Sequence, residues 1–147
     1  MIATMEWIPP MSNIHTHRLH IAQFNAAGLL RSPDELINLC TNDNIDMIFL
    51  NETYLTHGRL NTTWKQYHNY ATRPDNASRG FGGVSLLVRP DFPYHVHMHQ
   101  ITSPYVLTIT VGIYTFHGCY FPPALNHDAF TQALHSLSIS DDTIIIG

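Results

Sequence analysis

Hydrophobic and polar positions change period several times along this chain, and each change marks an element. Residues 19–24 put Leu19 and Ile21 on one face, with Gln23 continuing it, which is the two-residue repeat of a strand. Asn25-Ala-Ala-Gly28 breaks that run. Ser32-Pro33-Asp34-Glu35 opens a helix: Ser32 caps it, Pro33 suits the first helical position and Glu35 closes a capping box. Leu36, Ile37, Leu39 and Cys40 then form an apolar stripe at helical spacing, ended by Asn42 and Asn44. Asp46-Met-Ile-Phe-Leu50 is a continuous apolar run, the mark of a strand covered on both faces. Strand, helix and strand within about thirty residues make a crossover unit.

The second half is richer in strands. A polar stretch over 56–78 carries Trp64, Tyr67 and Tyr70, whose spacing predicts a helix face docked on the core; stacking on bases is the alternative. Residues 82–88 form another apolar strand, with Gly82 and Gly83 allowing a close backbone approach or a bulge. Residues 92–99, 105–111 and 113–120 have β-branched and aromatic strand character, and Gly112 marks the turn between the last two. Phe121-Pro-Pro123 stops the strand, because proline cannot continue a ladder. Asn126 caps a second helix bearing Phe130, Ala133, Leu134 and Leu137. Asp142 leads into a last buried strand over 143–146. Residues 1–17 read as an irregular arm ahead of a folded unit over 18–147.

Composition narrows the class. An apolar fraction of 44% with 12% charged residues fits a globular domain and argues against disorder. The net charge is −4 with only 7 Lys plus Arg, so no broad basic patch for nucleic acid is visible. Cys40 and Cys119 match no disulfide framework or metal spacing and read as small buried residues in a reducing, intracellular compartment. The start of the chain lacks the pattern of a secretory signal, and no apolar stretch approaches the ~20 residues of a membrane span. The sequons at Asn51, Asn61 and Asn76 therefore read as chance.

The candidate chemistry lies at strand ends. Asn25 ends the first strand, Glu52 follows the second and Tyr120 ends a later one. Polar groups at the ends of several strands in a layered α/β fold converge on one crevice. A carboxylate there can hold Mg²⁺, which binds through one or two carboxylates plus substrate phosphate. Each residue also has a plainer reading: Glu52 as an exposed residue after a strand, Asn25 as a turn residue, Tyr120 as a packed aromatic with a satisfied hydroxyl. His95, His97 and His99 alternate and share one strand face. They could bind Zn²⁺ or Cu²⁺, but no carboxylate or Cys joins them, which favours an exposed face of tolerated histidines. His15, His17 and His20 lie in or beside the arm and carry less weight.

Four runs resemble, in order, motifs of the endonuclease/exonuclease/phosphatase (DNase I-like) family. Ile21-Ala-Gln-Phe-Asn-Ala-Ala-Gly-Leu29 is similar to its first strand, and Asp46-Met-Ile-Phe-Leu-Asn-Glu-Thr-Tyr-Leu55 to its second, with Glu52 on the metal-binding glutamate. Arg79-Gly-Phe-Gly-Gly-Val-Ser-Leu-Leu-Val-Arg89 resembles the Gly-Gly-Val strand. Gly118-Cys-Tyr-Phe-Pro-Pro123 resembles the Tyr-x-Pro segment, with Tyr120 on the active-site tyrosine. The Glu-Thr-x-Leu and Arg-Gly-x-Gly-Gly-Val wording is similar to endonuclease domains of LINE-type (non-LTR) retrotransposons. The resemblance implies a two-sheet β-sandwich flanked by helices. It also implies a Mg²⁺-dependent phosphodiesterase, with Mn²⁺ as the alternative ion, that nicks DNA to prime reverse transcription. In it Glu52 and Asn25 serve the metal, and Asn25, Glu52 and Tyr120 form the catalytic set. Abasic-site nucleases and small-phosphodiester or phosphoinositide phosphatases are other branches of the same family. Ala27 replaces a polar residue of the family pattern, and the Asp-x-Asn and Ser-Asp-His motifs have no counterpart in residues 1–147. The expectation is an incomplete domain that is inactive by itself, either a fragment of the nuclease or a non-catalytic remnant or scaffold.

Overall fold

The computed structural model describes residues 2–7, 18–27, 33–100 and 103–147. Two mixed sheets lie face to face. The first has the order β1-β2-β3-β5-β4, from β1 (Ile2–Trp7), β2 (Leu19–Asn25), β3 (Met47–Asn51), β4 (Lys65–Asn69) and β5 (Val84–Val88). The second has the order β6-β7-β8-β9, from β6 (Val96–His99), β7 (Val106–Val111), β8 (Tyr114–Cys119) and β9 (Thr143–Ile146). Helix α1 (Asp34–Asn42) links β2 to β3, and α2 (His127–His135) links β8 to β9. Both linked pairs are parallel, as crossover units require, and the other pairings are antiparallel.

Strand alternation sorts the core into layers. Met47 and Phe49 face inward with Ile21, Leu86 and Val88, meeting Leu107, Ile109 and Phe116 of the second sheet. Ile48 and Leu50 face outward beneath Leu36 and Cys40 of α1, together with Trp64 and Leu87. All five residues of β3 are buried, which explains why its sequence shows no polar alternation. A smaller cluster of Val106, Cys119 and Leu137 lies on the outer face of the second sheet. Gly118 is required where β8 passes against Phe49 of the facing sheet: a Cβ there would lie 2.2 Å from Cδ1 of Phe49. At the end of the sheet opposite Asn25 and Asn51, buried Asp46 pairs with Arg89 at 2.9 Å and accepts from the backbone N–H of His20 at 2.9 Å, tying β2, β3 and β5 together.

Several elements differ from the sequence expectation. Residues Ile2–Trp7 are a strand, not part of an irregular arm; they pair with β2 in full register although Ala3, Thr4, Met5 and Glu6 are exposed. Backbone hydrogen bonds hold this edge, so it leaves no burial pattern in the sequence. Trp64, Tyr67 and Tyr70 do not form a helix face. Lys65–Asn69 is strand β4, Tyr67 packs on the inter-sheet core and Trp64 on the outer one, and Tyr70 stays exposed against His68. Strand β9 is an edge with intermediate burial, and Ile145 is 51% exposed, because among the described strands β8 alone flanks it. Helix α1 begins at Asp34 with Pro33 as its cap and no side-chain capping bond; Ser32 lies outside the described residues, as do Gly28, Leu29, His15 and His17. Leu39 is exposed, and α2 buries Ala133 but leaves Phe130 and Leu134 partly exposed. Asn126 caps α2 as expected, its side chain accepting from the Ala129 N–H at 2.8 Å. Gly112 (φ 61°) makes the β7–β8 turn.

Candidate active site

The ends of β2, β3 and β8 bring three expected residues together. Glu52 lies just beyond β3, and its carboxylate receives donors from both sheets. Tyr120, past the end of β8, donates its hydroxyl to Oε1 of Glu52 in a short hydrogen bond. Asn25, the last residue of β2, donates from its side-chain amide to Oε2 at 3.3 Å. A third donor to Oε2 is the Tyr54 hydroxyl at 2.9 Å. The Asn25 oxygen accepts from the Ala27 N–H at 3.0 Å in a local turn, so Asn25 combines its turn role with orientation of Glu52. Ala27 contributes this backbone donor and no polar side chain.

The local backbone is built to aim these groups. Glu52 (φ 50°) and Tyr54 (φ 52°) occupy the left-handed region, a costly conformation for side-chain-bearing residues that gathers at functional sites. Two glycines make it possible. The Thr53 and Tyr54 N–H groups donate to the carbonyls of Gly83 and Gly82 at 3.2 and 3.1 Å. Gly83 has φ 85°, and a Cβ there would lie 2.6 Å from Oγ1 of Thr53. The pair of glycines therefore provides close backbone approach, as expected from the sequence. Tyr120 is seated in turn by its N–H to the Tyr105 carbonyl at 2.9 Å.

Electrostatics follow from this geometry. Burial pushes the Glu52 carboxyl up, but hydrogen bonds from Tyr120, Tyr54 and Asn25 and the nearby Arg79 charge outweigh it, leaving the group below its ordinary value. The Tyr120 phenol is pushed up to about 12, first by its bond to Glu52 and then by burial and the neighbouring charge. Burial and the same carboxylate raise Tyr54. Glu52 is thus ionised and both phenols are protonated near neutrality.

Around this carboxylate opens a cleft of about 360 Å³, walled by Tyr54, Arg79, Phe81, Tyr105, Tyr120 and Pro122 among others. Sequence reasoning missed Tyr54, Arg79 and Phe81 as site residues. Their signal was positional only: Tyr54 lies two residues after Glu52, and the other two sit in the glycine-rich run. The Arg79 guanidinium lies 4.7 Å over the Tyr54 ring. No group of three or more His, Cys, Asp or Glu poised for a metal occurs among the described residues. His95, His97 and His99 are exposed at β6, with His97 and His99 edge to face at 4.8 Å.

Residues 22–144 match the family model described as the Endonuclease/Exonuclease/phosphatase family. The chain belongs to this family. Among solved structures it is similar to a 3′-5′ exonuclease (NExo) from Neisseria meningitidis, with a TM-score of 0.51 and 18% sequence identity. That likeness covers 79% of this chain and 47% of the exonuclease, so the chain spans about half of that structure, and at this identity it speaks to the fold alone. No curated protein matches the chain. The two-sheet sandwich with flanking helices is therefore that of an endonuclease/exonuclease/phosphatase domain in part. No helix among the described residues is long and apolar enough to cross a membrane.

Proposed function

We propose that this chain carries the metal-holding part of a divalent-metal-dependent phosphodiesterase whose substrate is DNA. The observation that carries this is the meeting of Asn25, Tyr54 and Tyr120 on the single carboxylate of Glu52, at the mouth of a cleft. The donor set suits Mg²⁺ or Mn²⁺. One carboxylate suffices for an ion that keeps most of its waters and takes further ligands from substrate phosphate. A carboxylate offers about four lone-pair positions, and the three donors leave room on Oε1. When bound, the ion polarises a phosphoryl oxygen and stabilises the leaving oxygen. Glu52 holds it, Asn25 and Tyr54 fix the carboxylate's orientation, and Tyr120 stands ready to turn its hydroxyl toward developing charge on the phosphate.

The LINE-type wording of Arg79-Gly-Phe-Gly-Gly-Val and Glu52-Thr-Tyr-Leu supports DNA nicking in retrotransposition as the parent activity. Hydrolysis also needs a base that activates water, within hydrogen-bond reach. Among the described residues the cleft walls carry no imidazole and no carboxylate besides Glu52. Residues 1–147 alone are therefore expected to bind metal and phosphodiester but to hydrolyse little. A supercoiled-plasmid nicking assay with Mg²⁺ tests this on wild type and Glu52→Ala. Near-background nicking by both is expected. Robust wild-type nicking lost in Glu52→Ala would overturn the inactivity and uphold the metal role; robust nicking by both would overturn the assigned site.

A further inference from the structure

Arg79 is a cation without a carboxylate partner among the described residues. The ion pairs there join Arg18 to Glu6 and Arg89 to Asp46 and Asp91. Arg79 instead lies over the Tyr54 ring, 4.7 Å from its centroid, and its N–H groups donate to no acceptor among the described residues. It is close enough to Glu52 to favour that carboxylate's ionised form without pairing to it. A planar guanidinium fixed by stacking is a fork ready for two phosphate oxygens. On the same cleft wall Phe81 is 50% exposed, a large apolar ring with no core role. Gly80 keeps the segment between them close to Tyr54: a Cβ there would lie 3.0 Å from the Tyr54 carbonyl and 2.9 Å from Ala71 and Thr56.

We propose that Arg79 anchors a phosphate beside Glu52 while Phe81 stacks on the adjoining base, so that the cleft takes an unstacked nucleotide of single-stranded or frayed DNA. This rests on the phosphodiesterase reading and names the form of its substrate. The size fits: about 360 Å³ lies at the lower end of the ~300–1,000 Å³ of small-ligand sites. The charge fits too. With net charge −4 and 7 basic residues the chain offers little charge to span a long run of duplex phosphates, whereas one guanidinium can neutralise one phosphate at an unstacked position. An exposed aromatic face is useful only to a base released from its stack.

The test is fluorescence-anisotropy binding of an end-labelled oligothymidylate and of its duplex with oligoadenylate, in EDTA, across a series of salt concentrations. Without metal the readout is independent of hydrolysis and of Glu52 as a ligand, so the metal reading can fail while this one stands, and the reverse. The single strand is expected to bind more tightly than the duplex. Arg79→Ala should weaken single-strand binding roughly tenfold and make the salt slope shallower by about 0.7. Arg79→Lys should keep the slope while losing part of the affinity. Phe81→Ala should weaken binding roughly tenfold at unchanged slope. Both side chains are exposed, and circular dichroism of each variant verifies the fold. Wild-type-like binding and slope in Arg79→Ala, unchanged affinity in Phe81→Ala, tighter binding of the duplex, or no binding by the wild type would each overturn the proposal.

Discussion

The hydroxyl of Tyr120 and the carboxylate of Glu52 join the two sheets of the sandwich, one group from past the end of β8 and the other from past the end of β3. The bond bridges the sheets at the site and helps to set the charge state of Glu52. Tyr120→Phe removes a donor that lowers the Glu52 pKa, so the carboxyl should titrate at a higher pH than in wild type. The sign is consistent: a carboxyl held below its ordinary 4.5 favours the native state above that pH, and the benefit fades as pH falls through the folded value. Carboxyl ¹³C chemical shifts followed through acid check it. Identical titrations of Glu52 in both proteins would show that the bond does not persist in solution.

The contact between Gly118 and Phe49 sets the spacing of the sheets. Gly118→Ala puts a methyl group 2.2 Å from a ring carbon in a packed core, and overpacking of this kind costs about 1–3 kcal/mol. The urea midpoint should fall accordingly. Phe49→Leu combined with Gly118→Ala should cost less than the sum of the two single changes, because the smaller side chain gives the methyl space.

His68 should make stability depend on pH in mild acid. Its Nε2 lies 3.1 Å from Oε1 of Gln66, which also accepts from the Leu60 N–H at 2.8 Å. Oε1 is an acceptor, so Nε2 carries the proton and Nδ1 accepts from the Ser85 hydroxyl at 2.7 Å. Burial, helped by the Arg59 charge, pushes the imidazole down from 6.5 to about 4. The unfolded chain therefore takes up the proton first, and stability present above 6.5 is lost as pH falls toward 4. Urea midpoints measured across that window should drop less steeply for His68→Gln than for wild type.

Much of this was legible in the sequence for definite reasons. Met47 to Leu50 announced a central strand because both of its faces are covered, and Asn25, Glu52 and Tyr120 could be gathered because strand ends on one side of such a fold share a crevice. Other features left no such trace. The first strand is held by its backbone, with Ala3, Thr4, Met5 and Glu6 in solvent, so no periodicity marks it. Trp64, Tyr67 and Tyr70 fall at a helical interval yet belong to three different settings around β4. Glu52 and Tyr54 are aimed by positive φ, and Arg79 meets them from a separate segment by lying over the Tyr54 ring, neither of which spacing encodes.

The central claim is that Glu52, oriented by Asn25, holds the divalent cation in the cleft it shares with Tyr54 and Tyr120. Paramagnetic broadening by Mn²⁺ reads this directly, in wild type and in Glu52→Gln, which keeps the shape and removes the charge. In the wild type, resonances of the Asn25 side-chain amide and of the Tyr54 and Tyr120 rings should broaden first and saturably, and in Glu52→Gln they should stay sharp at the same Mn²⁺ concentration. Broadening centred on His95, His97 and His99, or unchanged at Asn25 and Tyr54 when Glu52 is replaced, would contradict the claim.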